Sequence, residues 1–199
     1  MDPKAVIQAG ERLDKANRAV KELHAATDFI SADAAWTDLL TEAQTIFAKL
    51  EQGSKASGKS QAWFGKKKAE QRNDPLLRYI KFARNSEEHG LDRSTIRDMG
   101  SSLLGRPMAF GERVPIEVAK MNEITKQPEG PWDKAGVIGP ELRLTTAYDR
   151  RFGDSCEPPA THLGQDIKWA GQYAKDVADL TVLYFEALLI EAANLVEHC

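Results

Sequence analysis

Cysteine is scarce in this chain. Two occur in 199 residues, Cys156 and Cys199, without the paired spacing of a disulfide framework. This excludes a disulfide-stapled scaffold and fits a reducing compartment. Long apolar runs are missing as well. The most apolar stretch, Leu180 to Ile190, is interrupted by Glu186 and falls well short of the ~20 residues that span a bilayer. Met1-Asp2-Pro3-Lys4 leads into an amphipathic pattern with no apolar signal core, so the expected location is the cytoplasm, with no membrane partner. Glu87, Glu88, His89 and His162 have no ligand spacing of the H-x3-H kind, and there is no dinucleotide fingerprint or serine or cysteine elbow. Neither a metal nor a cofactor is therefore expected.

What is present is ordinary for a globular domain: 42% hydrophobic and 29% charged residues in a length that suits one core with an insertion. The net charge of -3 hides an uneven distribution. Between Lys55 and Arg84 nine positive residues face only Glu70 and Asp74, so this window carries +7 and the rest of the chain -10. A local basic patch in an acidic protein attracts phosphate without coating it, and Lys66, Lys67, Lys68, Arg72, Arg78 and Lys81 are the candidate phosphate-backbone contacts. A solvated lysine-rich loop has the same composition.

Periodicity divides the chain into three parts of one domain. In residues 1–90, Val6, Ala9, Leu13, Ala16, Val20 and Leu23 mark a long helix with a narrow apolar seam. His24 follows that seam and reads as structural. A second helix is expected to start at an N-cap near Ser31 and to bury Trp36, Leu39, Leu40, Ala43, Ile46, Phe47 and Leu50, ending near Gly53. The short link between the two predicts a helical hairpin. Residues 53 to 60 then match the phosphate-loop pattern G-x-x-x-x-G-K-[ST]. That pattern works only between a buried strand and a helix. A helix precedes it here, and Gln61-Ala62-Trp63-Phe64-Gly65 reads as a poor helix opening, so a mobile linker is the expectation. A third helix runs from Asp74-Pro75, an N-cap followed by a first-turn proline, to Gly90, with Leu76, Leu77, Ile80 and Ala83 on its buried stripe.

In residues 91–165, glycines and prolines separate short alternating runs. Arg113 to Ala119 and Glu141 to Thr146 read as half-buried antiparallel strands, with Pro115 at an edge or a strand start. His162 reads as a hydrogen-bonded loop residue. Residues 166–199 close the chain with a helix from about Ala170 to Glu197, apolar on more than one side, which suits the centre of a bundle or an oligomer interface. The fold class expected is α+β, a mostly helical four-helix-bundle-like core with an antiparallel β insertion before the last helix.

Near the end of the third helix stands Arg84-Asn85-Ser86-Glu87-Glu88-His89. On a helical bundle this resembles the HEPN superfamily, whose motif has the form R-x4–6-H, often with Asn, Asp or His after the arginine. The resemblance implies a metal-independent ribonuclease or RNA-binding protein of the toxin or defence type. It also implies Arg84, Asn85 and His89 as the catalytic residues, a homodimer, and a protein partner or antitoxin. In such chemistry a neutral imidazole takes the proton of a ribose 2′-hydroxyl while the guanidinium stabilises charge on the phosphate. Five residues along a regular helix amount to ~500° of rotation. Arg84 and His89 therefore converge only if the helix end unwinds or a second chain completes the site. The alternative reading is a non-catalytic dimeric helical scaffold or protein-interaction protein, in which Arg84 pairs with Glu87 or Glu88 on its own helix.

Overall fold

The computed structural model describes residues 1–89, 92–121, 128–149, 153–167 and 171–196; the side chains at 88–89, 117–121 and 128–135 are outside that description. Helix α1 (Pro3–Ala25) starts as its residues dictate: the Asp2 carboxylate accepts the Lys4 amide at 2.9 Å, and Pro3 has no N–H to leave unpaired. Its buried face is mainly Ala5, Ala9, Ala16 and Ala19, whose small side chains let α2 (Phe29–Ser54) approach closely. Gly53 completes that fit, because a Cβ there would collide with Ala5. The two helices form the expected hairpin, but the N-cap of α2 is Asp28 and not Ser31. The Asp28 carboxylate accepts the Ile30 and Ser31 amides at 2.8 and 2.9 Å, while the Ser31 hydroxyl turns back to the Asp28 carbonyl. A charged acceptor wins over a hydroxyl at the positive end of a helix.

The stretch expected to be a mobile linker is helical. Helix α3 (Gly58–Asn73) begins directly after Ser57, whose hydroxyl accepts the Ser60 amide at 3.2 Å. The amides of Lys55 and Ala56 bond to Gln52 and Gly53 carbonyls, and the Ser60 hydroxyl accepts from the Met1 ammonium at 2.6 Å. Residues 53 to 60 thus spend their polar groups on helix ends, and their amides do not converge on a shared anion site.

Helix α4 (Pro75–His89) and the last helix, α5 (Ala174–Asn194), complete the helical layer. Its centre is α2, which packs against all four other helices and buries Trp36, Leu39, Leu40, Ile46 and Leu50. The last helix is less enclosed than its composition suggests, with Leu183 and Ile190 exposed. His24 lies 2.8 Å from Asp179, tying α1 to α5. No helix among the described residues is long and apolar enough to cross a membrane.

Between α4 and α5 the described strands form five antiparallel two-stranded pairs. β1 (Thr95–Asp98) pairs with β6 (Glu141–Leu144), in the register Thr95 to Leu144. β2 (Ser102–Leu103) pairs with β3 (Arg106–Pro107), and β4 (Arg113–Met121) with β5 (Pro128–Ile138), Arg113 opposite Ile138. β7 (Ala147–Asp149) pairs with β8 (Asp154–Cys156), and β9 (Thr161–His162) with β10 (Gln165–Asp166). In a two-stranded sheet every strand is an edge, which is how β4 accommodates Pro115. The fold is α+β, with hairpins laid against helices.

A lone pair of strands is marginal in water, so each needs an attachment. Ser94, just before β1, accepts from Trp36 Nε1 at 3.1 Å and gives its amide and hydroxyl to Glu87 at 2.9 and 2.8 Å. The buried Tyr79 hydroxyl shares its proton between the Ser94 and Thr145 carbonyls, at 3.0 and 2.8 Å. Burial above all pushes its pKa well up, so it serves as a donor. The base of β4 is held by Arg113, bidentate to the buried Glu141 at 2.9 and 3.0 Å and bonded to Asp176 of α5 at 2.8 Å.

Candidate functional site

The basic window reaches its most definite geometry where α4 faces the β7–β8 hairpin. A cavity of about 370 Å³ opens there. Gln71 and Arg72 come from the last turn of α3, while Arg78, Lys81, Phe82 and Asn85 come from one face of α4. Positions 78, 81, 82 and 85 recur at three- and four-residue spacing, so one helical face gathers them while Leu76, Tyr79, Ile80 and Ala83 are buried. Asp149 and Asp154, at the facing ends of β7 and β8, close the opposite wall.

Two attachments bridge the cavity. Arg78 donates to Asp154 at 3.1 Å and its guanidinium lies 5.2 Å over the Phe82 ring. Asn85 donates to Asp149 at 3.3 Å and accepts from Arg84 at 3.5 Å, so it links the motif arginine to the hairpin. Arg72 and Lys81 are exposed and form no ion pair among the described residues. The arrangement offers two uncommitted cations, a third held by an exposed and therefore weak pair, a half-buried aromatic face and two amide side chains. Beside the two aspartates, such a set has the chemistry to hold a phosphate-bearing, partly aromatic ligand.

The other candidate residues are elsewhere. Lys67 pairs with Glu191 at 2.9 Å and Glu70 at 3.2 Å, and Lys68 with Glu51 at 2.7 Å; Lys66 is exposed on α3. Burial acts to lower the Lys67 pKa, but its two carboxylate partners outweigh it and the value lies above the ordinary one. These three lysines therefore belong to the α3 surface and not to the cavity lining. The side chain of His89 and the whole of Gly90 lie outside the described residues. Glu87, one of the two expected partners of Arg84, holds Ser94, and the side chain of the other, Glu88, lies outside the described residues.

Sequence reading overlooked Asp149, Asp154, Phe82 and Gln71. The phenylalanine had a usable signal, since it stands four residues after Arg78 on the same helical face. The aspartates had none, because a hairpin more than 60 residues away brings them there. His162, expected as a hydrogen-bonded loop residue, is hydrogen-bonded from the short strand β9. Its Nδ1 is hydrogen-bonded to the buried Asp74 carboxyl at 2.9 Å. Asp74 in addition accepts the Leu77 amide at 3.0 Å and the Leu163 amide at 2.6 Å. This pair caps α4 and is not part of the cavity wall.

Among the described residues no group of three or more His, Cys, Asp or Glu side chains is placed to hold a metal ion. Cys156 is a buried free thiol whose pKa is raised by that burial, which disfavours the thiolate a nucleophile needs. Comparison with family models, with curated proteins and with solved structures gives no match to this chain.

Proposed function

We propose that the protein binds single-stranded RNA in the α4 groove, as a HEPN-like helical-bundle protein of the toxin or defence type, and that Arg84, Asn85 and His89 carry metal-independent cleavage. The convergence of Arg72, Arg78 and Lys81 around Phe82 is the observation that supports it. Exposed cations track a phosphate backbone and an aromatic face accepts any base. Duplex A-form RNA hides its bases, which favours a single strand. The His89 imidazole takes the 2′-hydroxyl proton and the freed oxygen attacks the adjacent phosphorus. The bond to the 5′-oxygen breaks, that oxygen takes up a proton, and a cyclic phosphate remains. Arg84, held toward the hairpin by Asn85, stabilises the charge on the phosphate. A second copy facing the first completes the site.

The test is binding and cleavage of a mixed-sequence RNA in EDTA. The double variant Arg72→Ala/Lys81→Ala should bind at least about tenfold more weakly and lower the salt slope by about 1.4, from ~0.7 per lost single-strand contact. His89→Ala should keep binding and lose cleavage. Absence of RNA binding by the wild type at about 50 mM salt refutes the reading.

A second reading, the non-catalytic dimeric scaffold, draws on Leu183 and Ile190, 59% and 65% exposed and two turns apart on α5. It predicts that absence of RNA binding.

A further inference from the structure

Resting on the single-stranded RNA reading, we propose that Asp154 is a built-in competitor of the RNA. Its carboxylate holds Arg78 in the free protein, and a backbone phosphate has to take Arg78 from it. Arg72 and Lys81 line the cavity without an ion pair among the described residues. Arg78 lines the same cavity but gives its guanidinium to Asp154 at 3.1 Å and, at 3.5 Å, to the Ser155 carbonyl. A carboxylate and a phosphodiester each carry one negative charge and accept from a guanidinium in the same way. Both at once would set two anions side by side on one cation, where like charges repel. The two are therefore alternatives, and Asp154 occupies the place that a phosphate needs.

The pair is built to open. The Arg78 and Asp154 side chains are 43% and 54% exposed, and a surface ion pair shifts an equilibrium by about fivefold at most. Asp154 begins β8 directly after Gly153, which has a φ of 66° and open space around it. The only other bond of its carboxylate comes from the adjacent Ser155 amide at 2.9 Å, so leaving Arg78 strands no buried group. The hairpin does not depend on the pair either, because Ala147 and Cys156 lie in the core and Asn85 holds Asp149. Arg78 keeps its place when Asp154 leaves, since its guanidinium lies 5.2 Å over the Phe82 ring. The measured affinity is then that of the open groove, reduced by the fraction of molecules in which Arg78 is free.

The experiment is a double-mutant cycle read by fluorescence anisotropy, with one labelled eight-nucleotide oligouridine at about 50 mM salt. The four proteins are the wild type, Asp154→Asn, Arg78→Ala and the double variant. Both side chains are exposed, so all four should keep the urea midpoint of the wild type to within a small shift. Asp154→Asn should tighten binding about threefold to fivefold, the release of Arg78 from its partner. In the Arg78→Ala background the same substitution should tighten it less than about 1.5-fold. The ratio of the two gains decides. A ratio of at least about twofold means that Asp154 acts through Arg78. A smaller ratio, whether from no gain at all or from equal gains in both backgrounds, overturns the proposal while leaving RNA binding intact. Equal gains would mean that Asp154 only repels the phosphate from a distance. Failure of the wild type to bind overturns the RNA reading and the proposal together.

Discussion

Two turns in this protein are built from the same dipeptide. Leu104-Gly105 joins β2 to β3, and Leu163-Gly164 joins β9 to β10. Both have positive φ at both residues, 52° and 76° in the first, 48° and 78° in the second, the twist that closes a tight hairpin. Glycine accepts that conformation freely and leucine does not. What differs is the attachment. Leu104 is 99% exposed, whereas the Leu163 amide and the His162 ring are both bonded to Asp74 at the start of α4. Local turn chemistry therefore makes a hairpin, but one carboxylate decides whether it becomes part of the folded core. The β7–β8 hairpin lies between these cases. Its strands place Ala147 and Cys156 in the core, while two further attachments, the exposed Arg78 to Asp154 and the part-buried Asn85 to Asp149, come from groups that line the candidate groove. A site can form there because those attachments are exchangeable.

The strongest break of this comparison is Asp74→Ala. It removes the cap of α4 and strands the Leu163 amide and the His162 ring. The expected loss is about 2–4 kcal/mol, from a cap together with buried donors left unpaired. Urea denaturation measures it. A midpoint close to wild type would show that the β9–β10 turn is not tied into the cooperative unit.

The two glycines sharpen the contrast. Open space surrounds both, so alanine at either meets only the conformational penalty of positive φ, about 1 kcal/mol. Gly164→Ala should lower global stability by that amount, because Asp74 couples the turn to α4. Gly105→Ala should leave the denaturation midpoint unchanged and lower only the exchange protection of the β2–β3 amides. Equal midpoint shifts for the two variants would remove the distinction.

Much of this arrangement was legible in the sequence, for a physical reason. Helices α1, α2, α4 and α5 carry apolar stripes at helical spacing, and the Asp74-Pro75 start of α4 is written in its caps. Helix α3 was not legible because it has almost no stripe, burying only Ser60 and Phe64. It is held by its Ser57 cap and by Trp63 and Lys67 reaching Glu191 of α5. Strands could be recognised from alternation, but their partners could not: Thr95 pairs with Leu144 across nearly fifty residues of chain. The site divides in the same way. Arg72, Arg78, Lys81 and Asn85 are clustered in sequence and visible, while Asp149 and Asp154 arrive by tertiary packing.

The smallest effect expected concerns the loosely attached hairpin at acid pH. Two bonds from Arg106 on β3, at 2.7 and 3.3 Å, together with the Ala109 amide at 2.8 Å, hold the Glu112 carboxyl below its usual value near 4.5. A depressed folded value means the unfolded chain binds the proton more readily. The contribution of Glu112 is thus fully present above about pH 4.5 and is lost as the pH falls through the lower folded value. Because the pair is solvent-exposed, salt and water screen it, and the change should be confined to the loop. Amide exchange at Ala109 should accelerate below that pH, beyond the intrinsic trend, in wild type and not in Glu112→Gln, while α2 amides stay protected in both. A simultaneous loss of α2 protection that Glu112→Gln abolishes would mean that this hairpin is coupled to the core after all, and the contrast with Leu163-Gly164 would fail.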